Sequence, residues 1–80
     1  MNLQKIVAEN VRGFRKLRNL SQEALAIKSG ISPNYLACVE RNEVGIAIAR
    51  LEKIAKTLKI EPHLLLIKDA YKETLPNKDT

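Results

Sequence analysis

SQEALAIKSGISPNYLACVERN, residues 21–42, contains two helix starts eleven residues apart with a helix stop between them. Ser21 and Ser32 are favoured N-cap residues. Pro33 stands at a first helical position, where its missing N–H is no loss, and Gly30 supplies the left-handed residue that ends the earlier helix. At about 3.6 residues per turn, this spacing allows a first helix of about two turns, near Gln22 to Ser29. The second runs from about Pro33 to Arg41 and stops before Asn42, which tolerates the left-handed conformation. Two short helices folded together through a tight turn are the expected outcome.

Advancing about 100° per residue around the second helix gathers Asn34, Ala37, Cys38 and Arg41 on one side, with Leu36, Val39 and Glu40 opposite. The hidden side therefore holds two aliphatics and a carboxylate, while the presented side is small and largely uncharged. An ionised carboxylate taken from water costs several kcal/mol unless it is paired. Arg15, next to the core residue Phe14, is the expected partner, because a planar guanidinium satisfies a carboxylate bidentately.

Upstream, Leu3, Val7, Val11, Phe14 and Leu17 recur at helical spacing with Ile6 beside them, the apolar stripe of a helix over residues 2–18. Gly13 interrupts it at a cost of up to about 1 kcal/mol against Ala, which points to close approach by another helix. Arg12, Arg15, Lys16 and Arg18 surround the end of the stripe, either as a solvated face or as phosphate contacts. Downstream of a loop at Glu43, Val44 and Gly45, a fourth helix turns Ile48, Leu51, Ile54, Ala55 and Leu58 inward. Its other side carries Arg50, Lys53, Lys56 and Lys59. Glu61 and Pro62 start a fifth helix. Leu64, Leu65, Leu66 and Ile67 are consecutive and cannot all face one core, so the same helix of a second subunit is the expected cover. Beyond about Lys72 the periodicity is lost. The expectation is an all-α chain with one domain over residues 1–74 and a frayed tail at 75–80.

Eighty residues with 45% hydrophobic and 4% aromatic content suit one small core of Leu, Ile, Val and Ala. The net charge of +5 is uneven. Residues 12–59 hold ten Lys or Arg against four Glu, whereas 60–80 hold three Lys against four acids. A basic body with a near-neutral end suits a polyanion on one surface and a protein on another. Cys38 is the single cysteine, which excludes an intrachain disulfide and a thiolate-rich metal cage. With no membrane-spanning apolar run and no signal-peptide core at MNLQKIVAEN, the expected location is the cytoplasm.

LSQEALAIKSGISPNYLACVER followed by LEKIAKTL resembles the Xre/Cro/C1-type helix-turn-helix family, and the resemblance covers about residues 8–67. It implies a five-helix, lambda-repressor-like DNA-binding domain with the helix-turn-helix at helices 2 and 3. Within the family the chain is most similar to short single-domain members such as restriction-modification controller proteins. Those share an Ile-rich segment like Val44 to Ile48 and dimerise through the last helix, here Leu64, Leu65, Leu66 and Ile67. The matching positions make Pro33, Asn34, Ala37, Cys38 and Arg41 the residues nearest base edges. Gln22, Ser32, Tyr35, Arg15 and Arg18 fall near the DNA backbone, and Arg15 with Glu40 is the structural ion pair.

Asn42 stands where the family usually has Gly. Ala47 stands where a Ser or Thr cap is usual, a start weaker by about 1 kcal/mol. Asn34 offers the amide that matches adenine in the major groove, Ala37 suits a thymine methyl, and Arg41 suits a guanine or a phosphate. Tyr35 suits a phosphate or packing on the neighbouring helix, and Cys38 is a small packing residue or a redox-sensitive contact.

The leading functional expectation is a homodimeric, sequence-specific regulator on double-stranded DNA, without cofactor, metal or small-molecule effector. The alternative is a protein-interaction module such as an antitoxin or coactivator-like domain, motivated by the apolar 64–67 segment. An enzyme is not expected. His63 is the single histidine with no triad or ligand partner, and Gly13, Gly30 and Gly45 form no phosphate loop.

Overall fold

The computed structural model describes residues 2–73, and every regular element among them is helical. In chain order these are α1 (Leu3–Leu17), α2 (Gln22–Ser29), α3 (Pro33–Glu40), α4 (Ile48–Leu58), a 3-10 helix (Pro62–Leu66) and α5 (Ala70–Glu73). The frayed tail expected at 75–80 lies outside the described residues.

Capping explains the boundaries. The Asn2, Ser21 and Ser32 side chains accept hydrogen bonds from the backbone N–H of Lys5, Ala24 and Tyr35 at the starts of α1, α2 and α3. Each of the four long helices then closes on a left-handed residue: Asn19, Gly30, Asn42 and Lys59, with φ between 58° and 72°. In every case the next N–H reaches back to a carbonyl in the last turn: Leu20 to Arg15, Ile31 to Ala26, Glu43 to Cys38 and Ile60 to Ala55, at 2.9–3.1 Å. These closures reverse the chain within two residues, so short helices pack against one another through short links. At Ala47 no side chain caps α4. The Tyr35 hydroxyl instead accepts from the Ala47 N–H at 3.3 Å.

Phe14, Leu25, Leu36, Ile54, Leu58 and Leu65 are the largest apolar side chains wholly buried in the core, contributed by α1 to α4 and the 3-10 helix. Ala26 and Ala55 are also fully buried, and nearby the Ser29 hydroxyl donates to Thr57 Oγ1 at 3.0 Å, tying α2 to α4. The close approach expected at Gly13 is supplied by α5, since a Cβ there would overlap the Tyr71 ring.

Three expectations need correction. The fifth helix starts at Glu61 and Pro62 as expected but is a short 3-10 helix, Pro62–Leu66, and the α-helix that follows begins at Ala70. The reason is Asn10, a fully buried amide on α1. Its Nδ2 donates to the carbonyls of Leu64, Leu65 and Ile67 at 3.3, 3.0 and 2.7 Å, and its Oδ1 accepts from the Tyr71 N–H at 3.3 Å. Carbonyls drawn toward a side chain do not continue an α-helical ladder.

Secondly, Leu65 is fully buried and Leu64 half-buried in this chain's own core, so Leu66 and Ile67 are the members of the 64–67 run left exposed. Thirdly, Leu3 and Ile48 do not face inward, being 46% and 77% exposed. Both lie at the first turn of their helices, beyond the layer that α1 and α4 bury together.

Candidate nucleic-acid interface

Glu40 closes α3 on the inward side, and its side chain is 3% exposed. Arg15 of α1 meets it bidentately, Nε donating to Oε2 at 2.7 Å and Nη2 to Oε1 at 3.0 Å. The remaining end, Nη1, donates to the Leu20 carbonyl at 2.9 Å. Gln22 of α2 donates through Nε2 to Glu40 Oε1 at 3.0 Å. One carboxylate thereby joins the three helices that frame the turn. Its negative charge is matched by the guanidinium and by one further donor, the Gln22 amide, which is what makes burial tolerable.

This anchor sets the rotation of α3. Leu36 and Val39 are buried, while Pro33, Asn34 and Arg41 are exposed and Ala37 and Cys38 half-buried. Arg12, Arg15, Lys16, Gln22, Glu40 and Arg41 line a cleft beside the end of α3. Its charge is predominantly positive, and Arg12 and Lys16 are exposed on its wall. An anionic backbone passing α3 meets a cationic cleft at one end and a nearly neutral face along the helix.

The backbone-contact candidates are distributed unevenly. Arg15 spends its donors within the protein and is 12% exposed. Arg18 Nε donates to the Leu58 carbonyl at 2.7 Å, closing the end of α4. Gln22 gives one amide N–H to Glu40 and is half-buried. Ser32 is exposed and accepts from the Tyr35 N–H at 2.9 Å. Tyr35 lies between α3 and the 43–47 loop, its hydroxyl shared between the Gly45 carbonyl at 3.5 Å and the Ala47 N–H, with the Arg50 guanidinium 5.0 Å from its ring centre. Arg15 and Arg18 are thus directed to the fold, because neighbouring carbonyls and Glu40 reach their donors first.

Sequence reasoning placed a loop at Glu43, Val44 and Gly45 but missed the ion pair that forms there. Arg41, the C-cap residue of α3, donates through Nε and Nη2 to Glu43 at 2.8 and 3.0 Å, with Nη2 also 3.6 Å from Cys38 Sγ. The hydrogen bond and charge of Glu43 raise the Arg41 pKa, and the hydrogen bond from Arg41 lowers that of the Glu43 carboxyl. Gln4 of α1 donates through Nε2 to the carbonyl and Oδ1 of Asn42 at 3.2 and 3.0 Å, fixing the turn beneath the pair. The signal for the pair was local, an acid two residues past a helix-ending arginine, but it depends on the turn that Asn42 forms.

Among the described residues no helix is long and apolar enough to cross a membrane, and no cluster of three His, Cys, Asp or Glu suited to a metal occurs.

A buried carboxylate holding two short helices across a tight turn, with the second helix showing a separate outer face, is the geometry of a helix-turn-helix, and the relatives of this chain are DNA-binding transcriptional regulators, the class to which it belongs. The helix-turn-helix family model HTH_3 matches residues 11–65, and the chain belongs to this family, of Xre/Cro/C1 type. Control protein C.SmaI of Serratia marcescens is 40% identical over 72 residues, covering 90% of this chain and 86% of its own. The restriction-modification controller protein C.AhdI from Aeromonas hydrophila superposes with a TM-score of 0.75 at 34% identity, over 78% of this chain and 94% of that one. The DNA-binding domain of the P22 c2 repressor superposes with a TM-score of 0.78 at 31% identity, over 92% and 95% of the two chains.

Proposed function

We propose that the protein is a homodimeric, sequence-specific transcriptional regulator of the restriction-modification controller kind, which inserts α3 into the major groove of a pseudo-palindromic operator. The observation that carries the reading is the division of α3. Asn34, Ala37, Cys38 and Arg41 lie on the open side, with Pro33 at the helix start, while Glu40, Leu36 and Val39 lock the opposite side into the protein. Asn34 is the natural adenine reader and Ala37 suits a thymine methyl; Arg12 and Lys16, which line one cleft with the half-buried Gln22, and the exposed Ser32 suit phosphates.

Dimerisation is supported by an uncovered apolar surface. Leu3, Val44, Ile48, Leu66 and Ile67 account for five of the six exposed large hydrophobics among the described residues, and the first four line one groove with the buried Val39 and Leu51. Two copies meeting through this surface bring two α3 helices to successive major grooves about 34 Å apart. The Leu66–Ile67 end is the part of the expected 64–67 interface that the fold leaves available.

Binding to a randomised duplex library at physiological salt, followed by sequencing of the bound fraction, tests the reading. The expected result is an enriched inverted repeat, with affinity falling steeply as salt rises. A bound pool that stays random would defeat it. Light scattering should give twice the 9.0 kDa chain mass for the wild type and the single-chain mass for Ile48→Glu. A wild-type monomer that gains a stoichiometric protein partner would favour the interaction-module reading, with the same groove as its docking site.

A further inference from the structure

The Arg41–Glu43 pair has no evident use in the fold. Its side chains are 55% and 51% exposed, and exposed ion pairs contribute little to stability. Nevertheless it is built with care. Asn42 takes φ 62° and is clamped by Gln4, and the Glu43 N–H donates to the Cys38 carbonyl at 2.9 Å. The Glu43 backbone is therefore held in place beneath the last residue of α3. Its two oxygens take the Nε–Nη2 edge of Arg41, and the Cys38 sulfur lies against Nη2. Nη1 makes no hydrogen bond among the described residues.

We infer that Glu43 is a specificity-determining positioning residue, which reserves Arg41 for the O6 and N7 of a guanine and withholds it from phosphates. This rests on the proposed reading of α3 as the groove-inserted helix. Arg41 alone suits either target, because a guanidinium binds a phosphate or a guanine edge bidentately. Glu43 separates the two. A phosphate must displace the carboxylate from the guanidinium edge or approach a second negative charge, whereas the neutral acceptors of guanine meet Nη1 and the outer Nη2–H, displace only the weak Cys38 sulfur contact and suffer no such repulsion. Selectivity comes from the penalty on the wrong target as much as from the bond to the right one. A guanidinium already held in one orientation also loses less freedom on binding. Pro33, Ala37 and Cys38 offer few hydrogen bonds to bases, so one oriented arginine per subunit is a large share of what α3 can read.

The test repeats the randomised-duplex selection with wild type, Arg41→Ala, Glu43→Ala and Glu43→Gln. Glu52→Ala, which removes an exposed acid of α4, controls for charge. Melting temperatures establish that all are folded. In the wild type, each half-site is expected to show one guanine whose enrichment disappears in Arg41→Ala and weakens in Glu43→Ala. The ratio of selected-site to random-duplex affinity should fall about tenfold in Glu43→Ala, at the lower end of what a bidentate base contact discriminates. Glu43→Gln should lie between, since its amide oxygen keeps one bond to Arg41. Glu52→Ala should raise affinity for both duplexes without changing the ratio. The inference is overturned if Glu43→Ala keeps both the guanine and the ratio, or if Arg41→Ala leaves every selected base in place. A wild type that selects no sequence overturns the proposed function along with it.

Discussion

Two arginine–glutamate pairs meet at the C-terminal end of α3 with nearly the same geometry and opposite surroundings. Arg15–Glu40 is bidentate at 2.7 and 3.0 Å with side chains 12% and 3% exposed. Arg41–Glu43 is bidentate at 2.8 and 3.0 Å with side chains 55% and 51% exposed. Hydrogen-bond geometry is therefore not what separates their roles. In the buried pair each charge depends on the other, because water cannot replace a lost partner. In the exposed pair either charge can be hydrated at once, so the pair constrains where a side chain points and leaves the fold almost indifferent. One pair orients a helix, and the other orients a single side chain on it.

Breaking the buried pair should give the largest effect. Arg15→Ala leaves the Glu40 carboxylate buried with Gln22 as its remaining side-chain donor and strips the Leu20 carbonyl of its partner. A loss of about 3–5 kcal/mol is expected in denaturant titration, enough to unfold much of a chain this small at ambient temperature. A melting curve close to wild type would show that Glu40 is hydrated and that burial does not distinguish the pairs.

Asn10 extends the buried side of the comparison without a formal charge. Asn10→Ala leaves the Leu64, Leu65 and Ile67 carbonyls and the Tyr71 N–H without their side-chain partner. The expected cost is about 2–4 kcal/mol, with hydrogen exchange fastest over 64–71. Uniform acceleration across α1 to α4 would instead mean that the amide supports the whole core.

The exposed pair should show the smallest effect on folding. Arg41→Ala and Glu43→Gln are expected to melt with the wild type. By NMR, the Glu43 carboxyl should titrate below the usual glutamate range, because the hydrogen bond from Arg41 favours its charged form. The pairing is then complete above that range and is lost as the pH falls through the lowered midpoint. A Glu43 midpoint at the ordinary glutamate value that does not move in Arg41→Ala would show that the pair does not form in solution.

Legibility followed the distance over which each cause acts. Ser21, Gly30, Ser32, Pro33 and Asn42 act on backbone groups within a few residues, so the ends of α2 and α3 could be read from their order alone. The rotation of α3 was equally accessible, because helical spacing separates Leu36, Val39 and Glu40 from the rest. Asn10 was not singled out, although it stands three residues after Val7 and four before Phe14 on the inward stripe. A polar residue on such a stripe announces burial only when its acceptors are known, and these lie more than fifty residues away.

By itself, then, the sequence determined the helix-turn-helix and the side of α3 that is presented, because caps and helical periodicity are local and apply before any packing. Tertiary structure alone decided that the 62–66 segment is a 3-10 helix, that Leu65 turns inward while Leu66 stays out, that Ile48 is left uncovered, and that Arg18 closes the end of α4. Each depends on which distant group reaches a donor, carbonyl or apolar surface first. That competition is settled by three-dimensional proximity, which no spacing along the chain encodes.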